Sequence, residues 1–439
     1  MSLKDRLNRL TGETGTSPPS DLKQATLNGL RQKMDAVMTR RERLGFPQTH
    51  PSKNSPVPLE RLVDGQEMET LQGKLFCSRN SLNAERFHGH KQIGDLAHVS
   101  MEAAAFLSSA DVKGLSIEDG LFIDTETTGL SGGTGTFPFL IGLGWFGNSS
   151  FVTCQLFSRD FSEEPAMLDY LKKIASGRQF LVSFNGKAYD LNLLTTRFIL
   201  NRFQDIFSGI PHIDLLHPSR RIYSQRLENA KLATLEAGVL GVKRENDIPG
   251  QEIPQRYFDW LRRRDGRLIE DIFRHNRVDI VSMASLLKHL TDLINGGHDI
   301  AYAHHADLLS VAKLHHDRGD LETVRRLFEP LLDSNQPGIT QNARRYLSLI
   351  HKKRNQWDDA VSIWRKMLAD DPYDVFAAIE MAKWYEHHAR EFGPAAQIVQ
   401  RILDYKGSQL NEADRLAMVH RLRRLLDKAG SGTFSVHFD

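Results

Sequence analysis

The amino-acid sequence predicts a mixed α/β domain followed by an all-helical one. Three observations carry this: apolar strand-like runs joined by short turns after Gly120, alternating helix and strand signals behind them, and a repeating helical pattern from about Ala301. With 439 residues the chain has room for roughly two to four folding units. Its 57 Lys+Arg and 55 Asp+Glu leave a formal charge of +2, which excludes a polybasic histone-like protein and an acidic disordered solubiliser. A local basic groove is compatible with that total. Two cysteines, Cys77 and Cys154, are too few for a disulfide framework or a thiolate zinc site. The charged start MSLKDRLNRL has no apolar stretch behind it, and the most apolar run, Phe137–Phe146, is far short of the roughly 20 residues that span a bilayer. A cytoplasmic protein without membrane contact is expected.

Taken in order, residues 1–100 read as a weakly structured leader. Thr11–Ser20 and Pro47–Pro58 have linker composition, and a basic amphipathic helix is expected over Leu22–Leu44. Residues 101–295 form the α/β unit. Strands are expected at Leu121–Asp124, Phe137–Phe146 and Phe151–Phe157, the last two separated by the turn GNSS. Ser162 offers an N-cap, with Glu163, Glu164 and Pro165 in the first turn of a helix to about Ile174. A strand at Gln179–Phe184, a helix from Ala188 to Phe203 and a strand at Ile210–Leu215 follow, and the remainder to Leu293 is mostly helical. Three hairpin-linked antiparallel strands followed by β-α-β units, in a mixed sheet flanked by helices, is the order of the ribonuclease H-like fold. Residues 301–428 repeat: Val324, Phe328 and Leu331 recur as Ala360, Trp364 and Met367, and again as Ala395, Val399 and Ile402. A small residue at a helix crossing with a larger one a turn later suits tetratricopeptide-like hairpins. Residues 429–439 are a tail.

Acidic residues at three places have the character of a metal site. Asp124 and Glu126, two apart at a strand end, project to one face. Buried together, they need a cation to neutralise them. Asp190 opens a helix behind a strand in SFNGKAYDLNLL, and Asp279 lies in HNRVDIVSM on a helix with Ile280, Met283, Leu286 and Leu287 on its apolar face. Four oxygen ligands and no sulfur suit two Mg²⁺ or Mn²⁺ ions, which would clamp a scissile phosphate for hydrolysis. His275, one helical turn before Asp279, can accept a proton there.

The order DTETTGL, NGKAYD and HNRVD resembles the DEDD exonuclease superfamily. More closely, those motifs with GGTGTFPFLIGLG, HIDLLHPSRR and LATLEAGVLGVKRENDIPG resemble the YprB-like ribonuclease H-like family of predicted exonucleases over Leu121–Leu290. The trailing helical repeats also fit some members of that family. The resemblance implies a metal-dependent 3′–5′ exonuclease acting on single-stranded DNA or RNA. It places the metal ligands on Asp124, Glu126, Asp190 and Asp279 and the general base on His275. It also sets Thr128, Gly129 and Leu130 against the terminal nucleotide. Histidine users in the superfamily place that residue five positions before the last aspartate; here it stands four before, so His275 is either the base or an orienter of the attacking water. Asn185 either hydrogen-bonds near the phosphate or holds its loop.

Other features point to structure. Gly132–Thr136 lacks the Gly-Lys-Ser/Thr of a P-loop, and His88, His90 and His98 match no metal-ligand spacing. Asp214 in HIDLL is a helix cap first and a site residue second. The pairs His304-His305, His315-His316 and His387-His388 are packing or solvent-facing. Arg220, Arg221, Arg226 and Lys231, with Arg262, Arg263, Arg264 and Arg267, are solvated faces or a sequence-blind phosphate track. The repeats are expected to dock a protein partner. The alternative reading is a catalytically inactive nucleic-acid- or protein-binding scaffold on the same fold, which would have no reason to keep mutually repelling carboxylates.

Overall fold

The computed structural model describes residues 55–129, 135–147, 150–296, 303–333 and 337–430. The helix expected over Leu22–Leu44, the glycines at 132 and 133, and Leu130 lie outside the described residues. Two compact units are present: one holds the described residues up to Arg220 with Leu227–Asp292, the other Arg221–Arg226 with the described residues from Leu293 on. Among the described residues, no helix is long and apolar enough to cross a membrane.

The first unit is built on a seven-stranded mixed sheet in the order β1-β2-β7-β6-β5-β8-β9. The predicted meander is β5 (Gly120–Thr127), β6 (Pro138–Gly147) and β7 (Ser150–Phe157), all antiparallel. β8 (Phe180–Ser183) and β9 (His212–Asp214) follow, β8 parallel to β5 and β9 parallel to β8. β1 (Gln66–Thr70) and β2 (Gly73–Leu82) extend the other side, and β2 pairs with β7 from Phe76↔Phe157 to Leu82↔Phe151. The stretch expected as a leader to residue 100 therefore includes two strands of the sheet, β1 and β2. The outer half of β2, Arg79-Asn-Ser-Leu, carries polar residues at an edge, so only Leu75–Ser78 are buried and the strand period is masked. A two-stranded hairpin, β3 (Phe87–His88) and β4 (Lys91–Gln92), stands apart from the main sheet.

The helices are α1 (Met101–Ser108), α2 (Glu164–Ala175), α3 (Asp190–Leu200), α4 (Leu216–Tyr223), α5 (Leu232–Leu235), α6 (Ile253–Arg263) and α7 (Glu270–Asn295). One face of the sheet packs Leu121, Ile123, Ile141 and Leu143 against Met167, Leu171, Leu194 and Phe198 of α2 and α3. The opposite face packs Phe76, Phe139 and Phe157 against Tyr257, Ile272 and Phe273 of α6 and α7, with Phe139 stacked on Tyr257 at 4.1 Å. Helix α2 is approached differently from the expectation. Asp160, not Ser162, makes the capping bond, accepting from the Ser162 amide at 3.0 Å and opening a 3₁₀ turn (Phe161–Glu163) before the helix. A carboxylate two residues upstream reaches the turn's free amides better than a hydroxyl inside it.

Gly142 and Gly144 keep β6 thin beneath α7. A Cβ on Gly142 would lie 2.2 Å from the Asn276 side chain, and one on Gly144 2.5 Å from Ile280. Gly142→Ala is therefore expected to push α7 off the sheet and destabilise the protein by about 1–3 kcal/mol, read as a lowered urea midpoint.

The second unit is all-helical. Its helices are α8 (His305–Asp317), α9 (Leu321–Phe328), α10 (Pro337–Lys353), α11 (Trp357–Asp370), α12 (Val375–Trp384), α13 (Phe392–Lys406) and α14 (Glu412–Lys428). The repeated positions Val324, Ala360 and Ala395, with Phe328, Trp364 and Val399 one turn on, are all buried, and each set lies on the second helix of a pair. A π-helical turn, Tyr385–Ala389, follows α12, and its Glu386 is buried beneath Arg421, Arg424 and Lys428 of α14.

Candidate active site

The C-terminal end of β5, the start of α3 and the middle of α7 carry the predicted acids. Asp124 and Glu126 alternate with Thr125 along β5, so the two carboxylates share the α7 face. A register shift between Glu126 and Thr127 bends the strand just beyond the pair, as bulges beside functional sites do. Asp124 Oδ2 accepts from Asn276 Nδ2 at 2.8 Å, and Asn276 Oδ1 accepts from Gln155 Nε2 at 2.9 Å. Asp190, at the start of α3, accepts a hydrogen bond from the Thr125 hydroxyl. Its loop is shaped by Asp214, which accepts from the amides of Asn185 at 2.9 Å, Lys187 at 3.1 Å and Leu216 at 3.0 Å. Asp214 is thus both a helix cap and the brace of the NGKAYD loop. Gly186 must be glycine: a Cβ there would be 2.5 Å from Ser183 Oγ and 3.1 Å from Asp190 Oδ2.

Electrostatics show how close the acids stand. Burial first, then the charges of Asp279 and Asp190, raise the Asp124 carboxyl well above its ordinary range. Burial, then Asp124, Asp279 and Asp190, do the same to Glu126. Asp190 is pushed up to about 6, chiefly by burial. Among the described residues, no three His, Cys, Asp or Glu side chains are drawn into a ready coordination shell. Asp124, Asp190 and Asp279 each have a partner of their own, Asn276, Thr125 and Arg244 respectively. The donor set nonetheless fits divalent cations. It is all oxygen, and the Glu126 side chain is only 13% exposed, with His275 Nε2 3.9 Å away.

His275 sits where the helical spacing puts it, with Nε2 3.6 Å from Asp279 Oδ2. Its Nδ1 is 2.8 Å from Asp247 Oδ1 and 3.2 Å from Arg244 Nη1. The carboxylate contact is shorter and complementary to an N–H, so Nδ1 carries a proton and Nε2 faces Glu126 and Asp279. Asp247, Arg244 and Asn276 were not picked out from sequence. All three stand inside motifs that the resemblance rests on, GVKRENDIPG and HNRVD, which was the signal available.

Of the expected nucleotide-contacting residues, Thr128 and Gly129 are held by hydrogen bonds. The Thr128 amide donates to Phe137 O at 2.9 Å, and its hydroxyl accepts from the Phe137 amide at 3.0 Å. The Gly129 carbonyl accepts from Thr127 Oγ1 at 2.8 Å and Tyr189 OH at 2.6 Å. Asn185 is exposed with φ +65°, a left-handed position that asparagine tolerates, and its backbone holds the loop. The arginine clusters are largely spoken for: Arg226 pairs with Asp307, Arg262 with Asp259, Arg264 with Asp160 and Arg267 with Asp265. The histidines near β3 serve packing, with His88 Nε2 2.8 Å from Ser282 Oγ and burial lowering its ring pKa to about 4.

A mixed sheet with a hairpin meander, carrying acids at the end of β5, at the start of α3 and on α7, defines a nuclease-type domain. Residues 121–291 accordingly match the family model described as RNase_H superfamily. The chain is 31% identical over 330 residues to the uncharacterized protein YprB of Bacillus subtilis (strain 168), covering 73% of this chain and 77% of that one. It belongs to the YprB family.

Proposed function

We propose that the chain is a divalent-metal-dependent phosphodiester hydrolase, working as a 3′–5′ exonuclease on single-stranded DNA or RNA. The observation that carries this reading is the set of four acids, Asp190 buried and Asp124, Glu126 and Asp279 half-buried, within repulsive reach of one another beside the oriented His275. Asp124, Glu126, Asp190 and Asp279 would hold two Mg²⁺ or Mn²⁺ ions, which would supply Lewis acidity toward a water and a leaving oxygen. Asp247 holds the Nδ1–H of His275, so that Nε2 is free to take the proton of an attacking water. Asn276 and Thr125 keep Asp124 and Asp190 oriented. The Thr127–Gly129 turn, braced by Tyr189, supplies the surface against which a terminal nucleotide lies. The helical unit, read as tetratricopeptide-like, serves to dock a protein partner.

The test is hydrolysis of 5′-labelled single-stranded DNA and RNA with Mg²⁺ or Mn²⁺. Stepwise shortening from the 3′ end is expected, with circular single strands left intact. Asp279→Asn is expected to lose at least about 10²–10³-fold in rate. Wild-type protein that cleaves neither substrate in either metal would leave the binding scaffold as the better reading.

A further inference from the structure

We propose that Arg244, anchored on the buried Glu236, is a positioning residue that clamps both Asp279 and the Asp247–His275 pair. The inference rests on the metal-dependent nuclease reading of the site.

The clamp begins in local backbone. Residues Glu236–Leu240 form a π-helical turn, a conformation often found at functional sites, and Gly241 leaves it with φ +70°. The Val242 amide closes the turn on Glu236 O at 2.9 Å, which brings the strand of residues after it back across the Glu236 side chain. That side chain is 1% exposed. It receives Arg244 as a parallel fork, Nε on Oε2 at 2.5 Å and Nη2 on Oε1 at 2.6 Å. Ser282, itself against His88, adds a further hydrogen bond to Glu236.

With its Nε edge fixed, the guanidinium has the rest of its donors aimed at the site. Nη2 also donates to Asp279 Oδ1, and Nη1 donates to Asp247 Oδ2 at 3.0 Å. Asp247 then offers its other oxygen, Oδ1, to His275 Nδ1. One planar group therefore sets the orientation of an acid on α7 and, through Asp247, of the histidine one turn before it. Asp279 keeps Oδ2 on the His275 side, unclaimed by Arg244. Lysine, a point charge with no fork, could neutralise Asp279 or reach Glu236 but could not hold all three carboxylates in fixed geometry. Partners that orient a ligating carboxylate typically matter to metal affinity by about 10–100-fold.

The full-length chain and its Arg244→Ala, Arg244→Lys and Glu236→Gln variants are titrated with Mn²⁺ by calorimetry, with circular dichroism confirming the fold. Millimolar guanidinium is then added back to Arg244→Ala. The expected result is Mn²⁺ affinity about 10–100-fold weaker in Arg244→Ala. Arg244→Lys should sit near Ala instead of wild type, and guanidinium should restore part of the affinity in Arg244→Ala but none in Asp279→Asn. Unchanged or tighter Mn²⁺ binding in both Arg244 variants would overturn the clamp and make Arg244 a bystander or a competing counter-ion. If Arg244→Ala alone misfolds, Arg244→Lys binding Mn²⁺ as wild type does would overturn it equally. Wild-type protein that binds no Mn²⁺ and cleaves nothing would overturn the nuclease reading and the clamp with it. Cleavage and binding intact in wild type, with Arg244→Ala unaffected, would overturn the clamp alone.

Discussion

Asp124→Asn is expected to abolish metal-dependent cleavage and, at the same time, to raise the melting temperature of the metal-free protein. The two effects share one cause. Asp124 is half-buried among like charges, and its carboxyl is raised by desolvation, then by Asp279 and Asp190. A group whose folded pKa is raised favours folding only while protonated. That contribution is complete below the unfolded value near 3.8 and is lost as pH rises through the raised folded value. At neutral pH the ionised Asp124 therefore works against the fold unless cations neutralise it. An amide removes the charge and still accepts from Asn276. We expect a gain of about 1–2 kcal/mol, or about 2–8 °C for a unit of this size, with no further rise on adding Mn²⁺. Wild type should show the reverse: a lower metal-free melting temperature and a Mn²⁺-dependent rise that grows between pH 5 and 8. Scanning calorimetry with and without Mn²⁺ checks both, and a destabilised Asp124→Asn would contradict the account.

The second large effect is expected at Glu386. This side chain is fully buried, and its oxygens accept from Arg424 Nε at 2.8 Å, Arg421 Nη1 at 2.8 Å and Lys428 Nζ at 2.9 Å. The Arg424 hydrogen bond leads the interactions that hold its pKa down at about 2. The stabilisation is thus present above the ordinary value of 4.5 and disappears as pH falls through about 2. Glu386→Gln leaves three cations converging on a neutral amide. Removing one partner of a buried pair costs about 3–5 kcal/mol. The cations here are 21–48% exposed and can recover water, so about 2–3 kcal/mol is expected. The helical unit should melt earlier in Glu386→Gln, while the sheet-based unit keeps its transition and the chain keeps its cleavage rate. An unchanged melting profile at pH 7 would refute the role given to Glu386.

How much of this was legible in sequence differs from element to element. The meander from Gly120 to Phe157 was readable because its strands are apolar nearly end to end, a consequence of cover on both faces. Asp124 and Glu126 stood out because two carboxylates cannot end a buried strand without a reason. The repeated Ala360, Trp364 and Met367 were readable because helix crossings admit few residue types. β1 and β2 were not, since a polar edge strand resembles a loop until its partner β7 is known. Arg244 and Asp247 were hidden for another reason. Their meaning lies in contacts reaching 28 to 35 residues along the chain, to His275 and Asp279, and no local period encodes such a meeting.

The buried amides behind Asp124 give the site a handedness. Gln155 Nε2 donates both to Phe273 O, at 2.8 Å, and to Asn276 Oδ1, at 2.9 Å. Each amide can therefore face only one way, and Asn276 has only its NH₂ to present to Asp124. The arrangement leaves Gln155 Oε1 without a hydrogen-bond partner among the described residues, a standing cost that the reversed orientation would not relieve. The result is a relay with a fixed direction, starting under β7 and ending on Asp124 Oδ2. Oδ2 is thereby engaged as an acceptor, which makes Oδ1 the freer oxygen of Asp124, open to a proton or to a cation.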